Sequence, residues 1–339
     1  MTAQNLVSNI HSHLKRATEF LVVFVFFTNF TFIPLLYLLL FCYTVLFTSL
    51  WWIALLYGAY IYVQAGQSEL PKSEPNEALR NHWFWNHYGD YFPVKLHKTA
   101  DLPKDKNYLF GWHPHGILGF GAGVTICGRG PEFIRLFPGI TRHVATLDVH
   151  FLLPFRRWLM EAVGFIPVSF KSLVYKLSKE SGGNAVIVAI GGAEEALEAH
   201  PDVYRLCLNR RKGFVRVCLA TGAHLVPVYA FGETSTYDQV RNPQGSRLRN
   251  FQEAVKKYTG VSPPIVFGTS LIPFVPGMLP RRAEINVVFG APIPIEKTEN
   301  PSKEKIDELH KLYEDKLVEL FEANKLKYGV DKDAHLEFY

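Results

Sequence analysis

Charge is missing from one long stretch of this chain. Between Phe20 and Ser68 there is no Asp, Glu, Lys, Arg or His. That gap excludes an ordinary surface helix there, because such a helix keeps one charged face. Cysteine is scarce too. Cys42, Cys127, Cys207 and Cys218 form no C-x-x-C pair, which argues against a zinc module or a disulfide framework and for a reducing compartment. The G-x-S-x-G elbow of serine hydrolases is absent, and so is any internal repeat. Charged residues make up only 20% of the 339, beside 26 Phe, 16 Tyr and 6 Trp, so the chain is not a disordered one. The net charge of +5 is mild. It suits an anionic membrane surface or a phosphate-bearing ligand, and no nucleic-acid partner is expected.

What fills the uncharged stretch is almost continuously apolar from Phe20 to Val63. A spanning helix needs about 20 residues, so the run has room for two passes. It is too long for a signal-peptide core. A hairpin and a single long tilted span compete. Pro34, Thr28-Asn29 and the Cys42–Thr44 region offer places to bend. Bases flank both ends, Lys15 and Arg16 before and Lys72 and Arg80 after, which favours a hairpin with both ends cytosolic. The expected organisation is a cytosolic N-terminus (1–19), a membrane-embedded hairpin (20–63), a polar proline-bearing linker (64–80) and a catalytic domain (81–339).

Beyond Tyr108 short apolar runs alternate with helical patterns, which predicts an α/β domain. Strands are expected at Tyr108–Trp112, His143–Leu147, Gly164–Pro167, Ala185–Ile190, Leu225–Ala230 and Glu284–Phe289. Helices are expected near Phe155–Val163, Ser172–Ser181 and Glu194–Ala199. A longer one, Lys303–Lys325, carries the stripe Ile306, Leu309, Tyr313, Leu317, Leu320 and Phe321.

Chemistry gathers where two of these strands end. Tyr108–Trp112 runs into His113-Pro114-His115-Gly116, and Ala185–Ile190 runs into Gly191-Gly192-Ala193-Glu194-Glu195. In open α/β sheets ligands collect at the carboxyl ends of strands, so a histidine and a carboxylate distant in sequence can converge there. Gly116, Gly191 and Gly192 allow tight turns, and free amides near them are candidates to hold an oxyanion. Glu194, Glu195, Glu233 and Asp148 all fall near expected strand ends, and the residues alone do not rank them. A metal clamp of His113 and His115, with His143 and His150, is the rival reading. No recognised ligand spacing joins those four, and no metal is expected.

Four segments, "DYFP", "HPHG", "VAIGGAEEAL" and "NRRKGFVRVCLATGAHLVPVYAFGE", together resemble the type-2 diacylglycerol acyltransferase family, which includes monoacylglycerol and wax-alcohol acyltransferases. The likeness runs over nearly the whole chain. It implies a glycerolipid-acyltransferase-like α/β domain with an N-terminal transmembrane helical hairpin. The implied enzyme moves a fatty acyl group from acyl-CoA to a lipid hydroxyl at the endoplasmic reticulum or lipid droplets. Acyl-CoA serves as co-substrate without a further cofactor, and self-association is left open. Position by position, the family's likely base falls on His115, its GGAxE glutamate on Glu195, its YFP signature on Tyr91, Phe92 and Pro93, and its R-x-G-F element on Arg211, Gly213 and Phe214. The wider glycerolipid acyltransferases carry an aspartate five residues after a histidine. Leu118 and Phe120 stand at those places here, so Glu195 is expected as the ring's partner, with His113 in a supporting catalytic place. Arg210, Arg211, Lys212, Gly213, Phe214 and Arg216 are the acyl-CoA candidates. Diacylglycerol is the leading acceptor, monoacylglycerol and a long-chain alcohol the alternatives. Two other classes compete: a lipid-droplet scaffold without activity, and a metal-dependent lipid hydrolase.

Overall fold

The strand-forming power of the apolar runs is expressed in one seven-stranded sheet. Its strands are β1 (Val94–Lys98), β2 (Tyr108–His113), β3 (Thr141–Thr146), β4 (Phe165–Pro167), β5 (Asn184–Ala189), β6 (His224–Phe231) and β7 (Ile285–Phe289). The computed structural model describes residues 3–66, 70–71, 73–260, 262–270 and 277–339. Strand order is β1-β7-β6-β2-β5-β3-β4, and every neighbouring pair is parallel except β6 with β7. All six expected strands form. β1 went unforeseen because Val-Lys-Leu-His-Lys buries only alternate residues, as an edge strand does.

Successive residues of β2 serve opposite faces. Tyr108, Phe110 and Trp112 join one apolar core, and Leu109 joins the other. Being covered on both sides, the parallel strands are buried along their length. The second core is closed by the helix Lys303–Asn324, whose inner stripe is Ile306, Tyr313, Leu317, Leu320 and Phe321. Ser302 caps it by accepting a hydrogen bond from the Lys305 amide.

The N-terminal segment departs from expectation. Helix α1 (Ala3–Thr31) carries the start of the apolar run, yet Val22, Val23 and Phe27 are buried in the first core beside the helix Trp83–Tyr91. One face of this part packs on the domain, where Phe26 meets Tyr88 and Trp85, while Leu21, Phe24 and Val25 on the other face stay exposed. The chain then bends by 47° into α2 (Ile33–Phe47), with Pro34 in its first turn. After Thr48–Leu50 it returns as α3 (Trp51–Gly66), packed on α2 with Gly58 against the Phe41 ring. A hairpin does form, with arms later and shorter than 20–63 suggested. At 1.5 Å per residue α2 is about 22 Å long, short of a hydrocarbon core of about 30 Å. No single helix among the described residues is long and apolar enough to cross a membrane, although α1 and α2 satisfy the length and composition together.

The linker is partly built into the domain. Residues 67–69 and 72 lie outside the described residues. Further on, the Asn76 amide donates to the Ala162 carbonyl, and Arg80 is wholly buried, its Nε donating to the Val163 carbonyl. A guanidinium needs acceptors once desolvated, and the β3–β4 region supplies them, so packing begins before residue 81.

Candidate active site

Strand β2 is the centre of the site because β5 and β6 flank it on either side. Each of the three sends a loop off its carboxyl end, and the three loops meet. His113 closes β2, Glu195 follows β5, and Glu233 follows β6.

His113 is wholly enclosed. Strand alternation turns it, like Gly111, toward the helix Lys303–Asn324, where Tyr313 donates its hydroxyl proton to the Gly111 carbonyl. That hydroxyl in turn accepts from His113 Nε2 at 3.0 Å. Burial pushes the His113 pKa down to about 3, so the ring is neutral. The structure therefore corrects its expected catalytic placing: enclosed and bonded to Tyr313, it braces the loop.

His115 is the partly exposed member of the pair. Its Nδ1–H donates to the Gly116 carbonyl at 3.0 Å. A carbonyl only accepts, so Nδ1 carries the proton and Nε2 keeps a free lone pair. The surrounding protein lowers its pKa from 6.5, and the Gly116 bond partly opposes that. The residue is a neutral imidazole with its basic nitrogen open. Pro114, joined to His113 by a cis peptide bond, is buried.

Glu195 is only 2% exposed. Here the expected carboxylate–imidazole contact is replaced by another. Oε1 accepts from the His115 backbone amide at 2.6 Å, and Oε2 from the Cys207 amide at 3.1 Å. The loop turns the peptide of His115, with the ring pointing elsewhere, toward the β5 side. Burial raises the Glu195 pKa to about 7 against those two amides and Arg211, which lower it. Gly191 is required for this fit: a Cβ there would lie 1.9 Å from Glu195 Oε2. Gly192 stands at φ +60° with open space where a side chain would go.

Glu233 was one of four unranked carboxylates, and it supports the loop from the β6 side. It is wholly buried, with Oε2 accepting from the Gly121 amide at 2.9 Å at the start of the helix Phe120–Ile126. Its Oε1 has no partner, and burial lifts its pKa to about 8. Gly116, at φ +62°, lies against it: a Cβ there would meet Glu233 Cγ at 2.8 Å. Phe92 stacks on Phe120 at 4.8 Å, and the Tyr91 hydroxyl donates to the Pro280 carbonyl, so Tyr91-Phe92-Pro93 holds the back of this helix. Glu194 and Asp148 do not join the loop; Glu194 faces a basic cluster instead.

That cluster contains two of the expected cations and one that was missed. Arg210, Arg211 and Lys256 converge on Glu194, with Arg211 at 3.4 Å and Lys256 at 3.7 Å. Lys256 comes from the helix Arg247–Thr259, and nothing near the motif announces it. Lys212 turns aside to Asp307 at 2.6 Å. Gly213 and Arg216 are exposed. Phe214 is a correction: it faces inward, its ring 4.9 Å from that of Tyr313, because the helix Gly213–Thr221 buries this side with Val217 and Cys218. Among the described residues no three His, Cys, Asp or Glu side chains stand together as a metal cluster. His150 bonds Arg156 and stacks on Phe30, away from His143 on β3. Two surface cavities, of about 440 and 490 Å³, lie elsewhere, around Lys104 and Asn184 and around Lys95 and Tyr328.

A family model described as diacylglycerol acyltransferase matches residues 24–339. The chain belongs to the diacylglycerol acyltransferase family. This family member is 42% identical to 2-acylglycerol O-acyltransferase 1 of Bos taurus over 85% of this chain and 86% of that one. It is 41% identical to acyl-CoA wax alcohol acyltransferase 1 of Homo sapiens (86% and 89%) and 39% identical to human diacylglycerol O-acyltransferase 2 (86% and 75%). Among solved structures, the 1-acyl-sn-glycerophosphate acyltransferase PlsC of Thermotoga maritima aligns over 88% of this chain and 93% of its own. Its TM-score of 0.41 and 12% identity make it too distant to argue from. The chain is an acyltransferase of this family, and the acceptors named among its relatives span acylglycerols and wax alcohols.

Proposed function

We propose that this acyltransferase esterifies the free hydroxyl of an acylglycerol with acyl-CoA, diacylglycerol to triacylglycerol being the leading reaction. The observation that carries the chemistry is the His115 ring, with Nδ1–H tied to the Gly116 carbonyl and Nε2 free. Nε2 takes the proton of the acceptor hydroxyl as its oxygen attacks the thioester carbonyl carbon. The tetrahedral oxyanion collapses, the C–S bond breaks, and the leaving thiolate recovers the proton from the imidazolium. General-base help of this kind supplies about 10²–10⁴ in rate. Glu195 is a positioning residue: it binds the backbone of His115 and so sets where the ring points. That bond removes the His115 amide from the oxyanion candidates, leaving those of Gly116, Gly191 and Gly192.

Arg210, Arg211 and Lys256 place three cations around one carboxylate. The surplus positive charge suits the phosphates of acyl-CoA, for which Glu194 holds the place. The exposed apolar hairpin α2–α3 supports membrane attachment, and we place the enzyme at the endoplasmic reticulum or lipid droplets with its domain cytosolic. Monoacylglycerol is the second reading, favoured by the 42% identity to a 2-acylglycerol acyltransferase.

The deciding assay presents membranes bearing wild type or His115→Ala with labelled acyl-CoA and diacylglycerol, monoacylglycerol or a fatty alcohol. Product from wild type and its loss in the variant are expected. Equal product from both would end the assignment of His115, and product from the alcohol alone would end the acylglycerol reading.

A further inference from the structure

One helix of the domain is built inside out. Pro154–Ala162 has a strong apolar stripe, but Phe155, Trp158 and Leu159 on it face outward, while charged residues go inward beside Met160 and Ala162. Arg156, Arg157 and Glu161 point into the protein at 7%, 7% and 2% exposure, while Phe155 and Trp158 point outward at 75% and 50%. Arg157 is matched by a carboxylate, and Arg156 by neutral acceptors alone. Arg157 Nε donates to Glu161 at 2.8 Å, and Arg156 reaches His150 and both oxygens of Asn29. A helix facing water gains by the opposite choice, since burying arginine is costly and burying Phe and Trp is favourable. The arrangement is stable where the outer medium is itself apolar.

Neighbouring residues extend the face. Leu147 and Val149 follow β3, and Val168 and Phe170 follow β4, all exposed. They leave the carboxyl ends of their strands, the same edge of the parallel sheet from which β2 presents His115. The face is also continuous with the hairpin. Phe30 of α1 stacks on His150, and three residues later the chain enters α2, which is apolar all round and buries none of its residues.

We infer that this face, centred on Phe155 and Trp158, is a second lipid-contacting surface that lies in the bilayer interface and seats the catalytic edge of the sheet against it. A contiguous exposed apolar patch marks an interaction site. The occupant is a lipid surface because the patch begins where the apolar hairpin leaves the domain, and because Trp prefers the headgroup boundary. With its stripe about 5–10 Å into that boundary, the helix lies in the membrane plane. An acceptor lipid then reaches Nε2 sideways from the leaflet.

The test uses the full chain in phosphatidylcholine vesicles. Cys42, the exposed cysteine, is replaced by serine, and a nitrobenzoxadiazole probe is attached at Phe155→Cys, at Trp158→Cys or, as the control, at Asp105→Cys on the opposite edge of the sheet. Acyl chains carrying bromine should quench the probe at 155 and 158 several-fold more than at 105. Equal quenching at all three overturns the inference. A blue-shifted probe at 155 that bromine does not quench also overturns it, since a protein surface then covers the face. No activity is measured, so the outcome stands apart from the acyl-transfer reading.

Discussion

At the scale of single residues, the loop His113–Gly116 divides two similar side chains, one enclosed against Tyr313 and one with Nε2 free, which is the base we propose. Removing the base by His115→Ala should lower turnover about 10²–10⁴-fold, read from initial rates with saturating acyl-CoA. Because its pKa is held below 6.5, the acid limb of kcat/KM should have its midpoint below that value, checked from a pH–rate profile. Glu233 makes the opposite prediction for stability. Its folded pKa of about 8 exceeds the ordinary carboxyl value of 4.5, so folding takes up a proton between those values. The stability it contributes is fully present below pH 4.5 and is lost as pH rises through about 8. The difference in Tm between wild type and Glu233→Gln, followed across that window in detergent, should therefore decline with pH. His113-Pro114-His115-Gly116 stands out in the sequence, and so does a nearby carboxylate, but which hydrogen bond each makes does not. Glu195 reaches a backbone amide and leaves the ring to Gly116, a consequence of where the loop turns.

At the scale of elements, the helix Pro154–Ala162 shows what periodicity conveys. Phe-Arg-Arg-Trp-Leu-Met-Glu-Ala announces a helix with an apolar stripe, and the helix forms within a residue of where it was expected. The period does not say which stripe faces inward, because that depends on the medium outside. The inversion reverses the usual mutational pattern. Glu161→Ala should destabilise the protein in detergent by about 3–5 kcal/mol, since it strands the buried Arg157. Phe155→Ala should change it by about 0.5 kcal/mol or less. Chemical denaturation of the two variants checks both. The apolar run from Phe20 likewise reads as one membrane segment, whereas one face of its first part packs against Trp85 and Tyr88, leaving Leu21, Phe24 and Val25 exposed with the hairpin.

At the scale of the whole molecule, the site is an outcome of strand order. β5 and β6 flank β2 although 80 residues separate His115 from Glu195 and 112 separate Gly121 from Glu233, and this adjacency brings the two carboxylates to opposite sides of one loop. The basic cluster is assembled the same way, from Arg210, Arg211 and the unforeseen Lys256. If it receives the phosphates of acyl-CoA, the KM for acyl-CoA should rise with salt in wild type and rise less steeply in an Arg210→Ala/Lys256→Ala variant, with the KM for the acceptor lipid unchanged. A steady-state titration at several ionic strengths checks this.

The order of residues by itself determined the α/β class, six of the sheet's strands and the place of His113-Pro114-His115-Gly116 at a strand end, because periodicity and a motif of adjacent residues are local properties. Tertiary structure alone decided that His113 is sealed, that Glu195 holds a peptide, that Lys256 joins the arginines and that Phe155 and Trp158 face outward. Each of these depends on which distant segment, or which medium, comes to lie against the residue, and no local pattern encodes that.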